Sequence, residues 1–354
     1  MSLNLDFYKH KRVLVTGHTG FAGTWLCKVL DMAGAHVSGY ALEPDTKPSF
    51  YYMCRLDKKV KSYIGDIRNY DALKEAFDED RPEIVFHLAA QPLVLEGYED
   101  PAYTFDVNTM GTVSVLECIR KSESVKSAVI VTTDKVYLNK EWPWGYRENE
   151  ELKGSDPYSA SKSCAELVIN SYIKSYFEGG GIAVSSARPS NLIGGGDFNK
   201  DRLIPDCVRA ALDKTDIIIR NPFAARSYQH VLEAVNALLM IAKAQYNDKT
   251  FAGSYNIGPD EDASRMSSSL VNIFCETWRR YTNQAVKWTN ASQSGPKESG
   301  FLKTDPTKLK TALGWYPRWD IEKAMEKTVE WYVEYSKDKD VILFMEKQIK
   351  EFFR

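Results

Sequence analysis

Three glycines at regular three-residue spacing follow an apolar segment near the start of the chain. The segment Arg12–Thr16 has the composition of a buried strand, the glycines are Gly17, Gly20 and Gly23, and a helical pattern covers residues 22–33. Glycine permits a tight turn and lets the backbone approach a pyrophosphate, to which the following helix offers unpaired N–H groups. The strand–turn–helix order predicts a dinucleotide-binding unit, whereas glycines without these flanks indicate only a turn.

Apolar strand patterns alternate with helical patterns through the first half of the chain. Strands are expected at residues 36–40, 84–88, 128–131 and 183–187, and helices at residues 71–79, 104–121 and 157–177. This alternation implies right-handed crossovers and a parallel sheet. The predicted fold is α/β, a Rossmann-type doubly wound parallel sheet with a smaller mixed α/β C-terminal substrate lobe.

The sequence changes character after Arg188. A glycine run at residues 194–196 indicates a loop, a helical pattern covers residues 201–213, and later segments are shorter and richer in tryptophan and proline. The strand pattern at residues 255–257 indicates a return to the sheet. We therefore expect a dinucleotide-binding domain at residues 1–187 with a returning segment at about 229–257, and a substrate-binding lobe at 188–228 and 258–354.

Composition excludes several classes of function. The chain has 354 residues, 44% of them hydrophobic and 27% charged, which is an ordinary globular balance. The net charge of −2 gives no electrostatic basis for binding nucleic acid or an anionic membrane. No apolar run approaches the roughly 20 residues of a membrane span, and the first residues do not resemble a signal peptide. The six cysteines include no C-x-x-C pair, which favours reduced thiols, a cytoplasmic location and no bound metal.

A tyrosine and a lysine stand four residues apart at the start of a predicted helix. Pro157 suits the first helical turn, and Tyr158 and Lys162 share one helical face. The lysine charge is expected to favour the phenolate, so that the tyrosine titrates closer to neutrality and takes a proton from a sugar hydroxyl while a hydride leaves its carbon. The alternative is a chance surface pair, and the glycine fingerprint upstream favours the catalytic interpretation.

Polar side chains end the predicted strand at residues 128–131. Thr133 is suited to a hydrogen bond with a substrate hydroxyl, and Asp134 can act as a proton donor if burial raises its pKa. Lys135 can act as a cation or as a base. Ligands of open α/β sheets bind at this edge. Without Tyr158 and Lys162, an ordinary solvated turn would be the better interpretation.

Two further strand ends are candidates for cofactor contacts. Asp66 and Ile67 suit recognition of an adenine edge, although an aspartate there is equally suited to a turn. Residues 88–91, Leu88-Ala89-Ala90-Gln91, suit close passage of a ribose and phosphate, or else tight packing of a strand end. The second strand is followed by Glu43 and by no arginine for a 2′-phosphate, so NAD is favoured over NADP.

Together these motifs resemble the extended short-chain dehydrogenase/reductase superfamily and, within it, the CDP-glucose 4,6-dehydratase family. The segments that carry the resemblance are Gly17-His18-Thr19-Gly20-Phe21-Ala22-Gly23, Thr132-Thr133-Asp134-Lys135, residues 141–149, Tyr158-Ser159-Ala160-Ser161-Lys162, residues 194–197 and 201–206, Gln229-His230-Val231-Leu232-Glu233, Leu313-Gly314-Trp315 and residues 317–319. They cover nearly the whole chain.

The resemblance implies a reaction in three stages on bound NAD. Tyr158, assisted by Lys162, removes the 4-hydroxyl proton of CDP-glucose while a hydride passes from C4 to NAD; water is then lost across C5 and C6, and the hydride returns to C6. Thr133 would polarise the C4 oxygen, and Asp134 would protonate the departing hydroxyl. Lys135 stands where dTDP- and GDP-sugar dehydratases hold a glutamate, which favours a CDP-sugar and leaves the base for the C5 proton open.

The resemblance also implies ligand contacts and an assembly. Cofactor contacts are implied, besides the three glycines, for His18, Thr19, Phe21, Asp66, Ile67, Leu88, Ala89, Ala90, Gln91, Asn108, Thr132, Tyr158, Lys162 and Arg188. Substrate contacts are implied for Gln91, Asn191, Arg202, Arg226, His230 and Glu298, although a single arginine is more often a surface ion-pair partner. A homodimer or a dimer of dimers is implied through helices 104–121 and 157–177, whose apolar residues, including Val113, Leu116, Ile119, Leu167 and Ile169, alternatively face the protein's own sheet.

Several positions depart from the family pattern near the expected sugar-nucleotide pocket. They are Leu95, which replaces an arginine, and Pro189, Ser227, Tyr228 and Lys297. Another CDP- or NDP-sugar therefore remains open as the substrate. A sugar-nucleotide 4-epimerase, which needs Tyr158 and Lys162 but not Asp134 and Lys135, is a second enzyme hypothesis. A dinucleotide-sensing regulatory protein is a third, which the presence of both Tyr158 and Lys162 disfavours.

Overall fold

The computed structural model describes residues 5–260, 265–291 and 300–354. A seven-stranded parallel sheet with the order β11-β6-β5-β4-β1-β2-β3 forms its centre. The strands are β1 (Arg12–Thr16), β2 (His36–Ala41), β3 (Lys61–Ile64), β4 (Ile84–His87), β5 (Ser127–Val131), β6 (Ala183–Pro189), β7 (Asn191–Ile193), β8 (Ile217–Ile219), β9 (Ala225–Arg226), β10 (Tyr228–His230), β11 (Ser254–Ile257), β12 (Arg265–Met266), β13 (Trp288–Asn290) and β14 (Phe301–Leu302). The predicted fold class is confirmed.

Helices cover both faces of this sheet and build the C-terminal part. They are α1 (Phe21–Met32), α2 (Phe50–Met53), α3 (Tyr70–Asp80), α4 (Val94–Glu99), α5 (Pro101–Phe105), α6 (Gly111–Lys121), α7 (Pro157–Tyr172), α8 (Leu203–Asp213), α9 (Val231–Asn247), α10 (Ser267–Thr282), α11 (Thr307–Leu313), α12 (Ile321–Tyr335) and α13 (Val341–Phe353). Among the described residues, no helix is both long and apolar enough to cross a membrane.

Successive residues of the central strands enter different apolar clusters. In β1, Val13 and Val15 belong to one cluster and Leu14 to another; in β5, Val129 belongs to the first, with Ile130 in the second. Side chains alternate between the two faces of a strand, so each face of the sheet has its own core. Burial on both faces explains why these strands read as continuous apolar runs.

The two long predicted helices each contain a π-helical turn. The segment predicted at residues 104–121 consists of the end of α5, a π turn at Asp106–Met110, and α6. The segment predicted at residues 157–177 consists of α7 and a π turn at Ile173–Phe177. A π turn replaces the i→i+4 hydrogen bonds of an α-helix with i→i+5 hydrogen bonds. The apolar periodicity continues through it, so the sequence pattern does not reveal the turn.

The C-terminal part shares one core with the sheet. Strand β11 adds to the sheet beyond β6, as predicted. The main cluster includes Trp25 of α1 and Trp331 of α12. Trp25 donates from its indole N–H to the Gly195 oxygen at 3.0 Å, and the Phe50 ring meets the Trp331 ring edge-on at 5.5 Å. The loop at residues 194–196 therefore lies between α1 and α12.

We expect Gly195→Ala to destabilise the protein by about 1–3 kcal/mol, which is typical of overpacking a filled core. An alanine Cβ at this position would lie 2.0 Å from the Trp331 ring. Gly181→Ala is the matched control, because no heavy atom lies within 4 Å of the corresponding Cβ. Urea unfolding measures both variants, and equal unfolding free energies would contradict the packing described here.

Candidate active site

A cavity of about 600 Å³ opens at the carboxyl ends of β1, β4 and β5. Strand β1 pairs with both β2 and β4, so the direction of strand order changes at this point of the sheet. Helices diverge to opposite faces at such a switch point and leave a crevice, where open α/β proteins bind ligands. The volume suits a small-molecule site.

Close backbone approaches require the glycines of the first turn. Gly17 has a φ of +74°, and a Cβ there would lie 2.6 Å from the Ala89 nitrogen. A Cβ on Gly23 would lie 2.1 Å from the Gly17 oxygen. Helix α1 begins after Gly20 without a side-chain cap. Its N-terminus therefore faces the cavity as an anion-binding end, with Phe21 and Gly23 in the wall.

Most predicted cofactor residues line this cavity. They are Gly17, Thr19, Gly20, Phe21, Gly23, Asp66, Ile67, Leu88, Ala89, Ala90, Thr132, Tyr158 and Lys162. At Asp66, Arg68 donates from its guanidinium at 2.6 Å and from its backbone N–H at 2.9 Å, and the side-chain hydrogen bonds lower the pKa of Asp66 despite partial burial. The carboxylate is therefore ionised and is held in place by Arg68.

Three predicted cofactor side chains lie behind the wall instead. His18 is fully buried beside Ser62 at 2.7 Å, and burial lowers its pKa to about 4. Asn108, on the first π turn, accepts from the Gln91 N–H at 2.9 Å and donates to the Ser161 hydroxyl at 2.9 Å. His18 is held against β3, the Gln91 side chain against Thr104 and the Leu93 N–H, and Asn108 against the Gln91 backbone and Ser161, so all three side chains support the cavity wall from behind.

Arg188 is also placed away from the cavity. It is 2% exposed, and its guanidinium donates to the Glu166 carboxylate at 2.9 and 2.7 Å. Sequence reasoning missed Glu166. The available signal was its position four residues after Lys162, on the same helical face.

Tyr158 and Lys162 both line the cavity and are nearly buried, at 8% and 4% exposure. Helix α7 begins with Pro157, and Asp156 caps it by accepting from the Ser159 N–H at 3.0 Å. The Lys162 ammonium donates to the Val131 oxygen at 3.3 Å, which brings the end of β5 against this helix. The predicted pairing on one helical face is present.

The predicted electrostatic effect of Lys162 on Tyr158 is wrong for this structure. Burial raises the pKa of Tyr158, and the influences that lower it are the charge of Lys135, a hydrogen bond with Thr133 and the charge of Arg202. Burial lowers the pKa of Lys162 to about 8, against the opposing charge of Glu166. The sequence argument omitted desolvation, which acts on both groups and disfavours their charged forms.

Thr133, Asp134 and Lys135 converge at the carboxyl end of β5. Asp134 begins a 3-10 turn, is 1% exposed, and accepts from the Thr133 hydroxyl at 3.2 Å and from the Lys135 ammonium at 3.3 Å. Lys135 also donates to the Asn191 side-chain oxygen at 3.2 Å. The cavity wall therefore holds a carboxyl group, a hydroxyl and an ammonium next to the Tyr158 phenol.

The predicted substrate residues fall into three groups. Asn191, Arg202 and Arg226 line the cavity, where Arg202 is paired with Asp197 at 3.2 Å. Glu298 lies outside the described residues, as does Lys297. Gln91 is buried beside Asn108. Of the other positions that depart from the family pattern, Leu95, Pro189 and Tyr228 line the cavity.

His230 is not brought to the cavity. Its ring is fully buried, 5.7 Å from the Trp25 ring and 4.9 Å from the Trp319 ring, and its Nδ1 accepts from the Leu232 N–H at 3.2 Å. Burial lowers its pKa to about 3, so the ring is neutral. Its position at the N-terminus of α9 directs it into the aromatic core, which the sequence motif did not reveal.

Part of the lining was not predicted. It includes Arg220 and Asn221 after β8, and Asn139 and Tyr98. The Arg220 guanidinium donates to the Asp201 carboxylate at 3.0 Å. A polar pair that follows a short strand is the signal that was available for Arg220 and Asn221.

A sequence model described as GDP-mannose 4,6 dehydratase matches residues 14–328. The CDP-glucose 4,6-dehydratase of Salmonella typhimurium is 40% identical over 356 aligned residues, which cover 99% of this chain and 98% of that protein. The chain belongs to this family of nucleotide-sugar dehydratases. The resemblance inferred from the motifs is thereby confirmed.

Solved structures agree on the fold. The dTDP-glucose 4,6-dehydratase from Bacillus anthracis, solved in complex with NAD, has a TM-score of 0.74 at 21% identity and covers 93% of this chain and 98% of its own. The UDP-glucose 4-epimerase from Thermus thermophilus, also an NAD complex, has a TM-score of 0.77 at 23% identity and covers 91% and 98%. Dehydratases and epimerases therefore share this architecture.

The buried lysine makes stability depend on pH. Because the pKa of Lys162 is about 8 in the folded protein and near 10.5 when unfolded, the unfolded state binds more protons between these values, and stability rises with pH across that window. Lys162→Met removes this dependence. From pH 7.5 to pH 10, we expect the unfolding free energy of the original protein to rise by about 2 kcal/mol relative to that of the variant. Urea unfolding of both without cofactor measures this difference, and parallel pH profiles would contradict it.

Proposed function

We propose that this protein is a hydro-lyase that converts CDP-glucose into CDP-4-keto-6-deoxyglucose with NAD as its cofactor. The observation that carries the proposal is the 40% identity with a CDP-glucose 4,6-dehydratase along 99% of the chain. The geometry supports it, because Thr133, Asp134, Tyr158 and Lys162 line one cavity at the switch point of the sheet.

The residues present fit NAD. Gly17 and Gly23 have no room for a Cβ. Because they are glycines, the backbone is open to a pyrophosphate beside the N-terminus of α1. Asp66 is an ionised acceptor for the adenosine end. When bound, NAD supplies the hydride acceptor for C4 and the hydride donor for C6.

The chain's own residues handle the protons. Tyr158 removes the proton of the 4-hydroxyl, and Thr133, which lowers the pKa of that phenol, holds the C4 oxygen. The resulting ketone makes the C5 proton acidic, so a basic group of the cavity wall takes that proton while water leaves across C5 and C6. The same group gives a proton back to C5 when C6 is reduced. Asp134 gives its proton to the departing C6 hydroxyl. The positive charges of Lys135 and Arg202 favour the phenolate form of Tyr158.

We expect Gly17→Ala to weaken NAD binding about ten- to a hundredfold, which corresponds to an overpacking cost of about 1–3 kcal/mol. The new Cβ would press on the Ala89 backbone under the pyrophosphate site. Gly34→Ala is the matched control, because Gly34 has a similar φ of +76° but its nearest contact would be a flexible Lys9 side chain at 3.5 Å. Calorimetric titration with NAD compares the two, and equal losses of affinity would contradict the assigned site.

Two substitutions separate the oxidation from the elimination. With CDP-glucose, we expect Asp134→Asn to accumulate NADH, because C4 oxidation proceeds and the leaving hydroxyl lacks its acid. Tyr158→Phe should form no NADH, whereas the exposed Tyr176→Phe should behave as the original protein. Absorbance of NADH and the alkaline ultraviolet chromophore of 4-keto-6-deoxy products report the two steps. Full turnover by Tyr158→Phe would overturn the assignment.

A sugar-nucleotide 4-epimerase is the second candidate. The UDP-glucose 4-epimerase of Lacticaseibacillus casei is 26% identical over 90% of this chain, which is well below the identity to the dehydratase. An epimerase product keeps its 6-hydroxyl and develops no alkaline chromophore. The same assay, run with CDP-, UDP-, GDP- and dTDP-glucose, also identifies the preferred nucleotide.

We also propose a cytoplasmic homodimer, or a dimer of dimers, that acts in deoxysugar synthesis for the O-antigen of lipopolysaccharide. Leu167 of α7 is 58% exposed. Tyr176, in the π turn after α7, is 55% exposed, and Met110, at the end of the π turn before α6, is 52% exposed. Leu116 and Ile169, in contrast, belong to the protein's own core. The exposed apolar residues of these two helices supply the surface for helix pairing between subunits.

A further inference from the structure

A buried ion pair lies directly behind the cavity. The Glu166 carboxylate is 2% exposed and accepts from the Thr132 hydroxyl at 2.5 Å, from the Ser186 hydroxyl at 2.9 Å and from both sides of the Arg188 guanidinium. Arg188 in turn donates to the Tyr137 hydroxyl at 2.7 Å. All four acceptor positions of the carboxylate are thus occupied, so it is held as an anion in one orientation.

Glu166 continues the face of α7 that carries the proposed catalytic pair. Tyr158, Lys162 and Glu166 follow one another at four-residue intervals. Lys162 donates to the Val131 oxygen at 3.3 Å, and the next residue of the chain, Thr132, donates to Glu166. Two successive turns of α7 therefore bind Val131 and Thr132 at the end of β5. These residues come immediately before Thr133 and Asp134 in the chain.

We propose that Glu166, held by Arg188, is a positioning residue that keeps Lys162 protonated beside Tyr158 and fixes the end of β5 that carries Thr133 and Asp134. The inference rests on the role proposed above for Tyr158 and on the place of Lys162 with it in the wall of the same cavity. Glu166 does not line the cavity and acts only through these neighbours.

The electrostatics around Lys162 agree with this role. Burial lowers the pKa of Lys162 to about 8, and the charge of Glu166 acts against that loss. His87 on β4 also interacts with the charge of Lys162, whereas Asp134, Lys135 and Arg202 act on Tyr158, and Arg188 on β6 pairs with Glu166. Burial lowers the pKa of His87 to about 3, so this ring remains neutral, and Glu166 is the acidic neighbour that opposes deprotonation of the amine.

Removing the Glu166 charge should therefore let Lys162 lose its proton at lower pH. In Glu166→Gln the Arg188 charge is also left unpaired, which adds repulsion and threatens folding. The double variant Glu166→Gln/Arg188→Met removes both charges and avoids an isolated buried cation. We expect the Lys162 titration midpoint to fall by about one pH unit in the single variant, and by less in the double variant.

Competitive labelling with acetic anhydride measures this midpoint without catalysis. Labelling of Lys162 in the cofactor-free protein is followed against pH by mass spectrometry of the peptide, and the alkaline limb of kcat/KM should move in parallel. Ser186→Ala is the control, since it removes one hydrogen bond to Glu166 and no charge. Its labelling midpoint should match that of the original protein.

The outcomes separate the two proposals. A lower midpoint in both Glu166 variants, with Ser186→Ala unchanged, supports the positioning role. An unchanged midpoint in the folded double variant overturns it, as does an equal shift in Ser186→Ala. Turnover by Tyr158→Phe would instead overturn the proposed roles of the catalytic pair, and the labelling result does not depend on that measurement.

Discussion

The change of strand order between β1 and β4 is the constraint on which the site depends. Parallel strands need right-handed crossovers, and where successive crossovers go to opposite faces no helix covers the strand ends. The cavity lies in this gap, with the glycine turn after β1 on one side and the end of β5 on the other. The close contact of Gly17 with Ala89 joins the ends of β1 and β4 and sets the floor of the cavity.

Desolvation dominates the electrostatics of the proposed catalytic pair. Tyr158 and Lys162 each lose water on folding, which favours the neutral forms of both groups. Neighbouring charges oppose this effect of burial. Lys135 and Arg202, in the cavity wall, lower the pKa of Tyr158, and Glu166, behind the wall, raises the pKa of Lys162. The network through Glu166 and Arg188 also links the helix to β6. A phenol and an amine on one helical face are therefore insufficient, since the charges around them decide their protonation states.

Local patterns predicted the elements well because the forces that form them are local. The strand Arg12–Thr16 has the predicted bounds, and α1 and α3 begin and end within one residue of theirs. Continuous apolar runs indicate strands buried on both faces, and three- to four-residue periodicity indicates helices. The glycine spacing also predicted the tight turn between β1 and α1. The π turns escaped prediction, because they shift the backbone register without changing the composition.

The sequence by itself determined the order of strands and helices, the glycine turn and the pairing of Tyr158 with Lys162, since each depends on residues that are near one another in the chain. Only the tertiary structure decided which side chains reach the cavity. His230 and Arg188 stand in motifs that indicate ligand contact, yet His230 packs between two tryptophans and Arg188 pairs with Glu166. Burial and the partners of a buried charge depend on segments that are distant in sequence, and such contacts form only when the chain has folded.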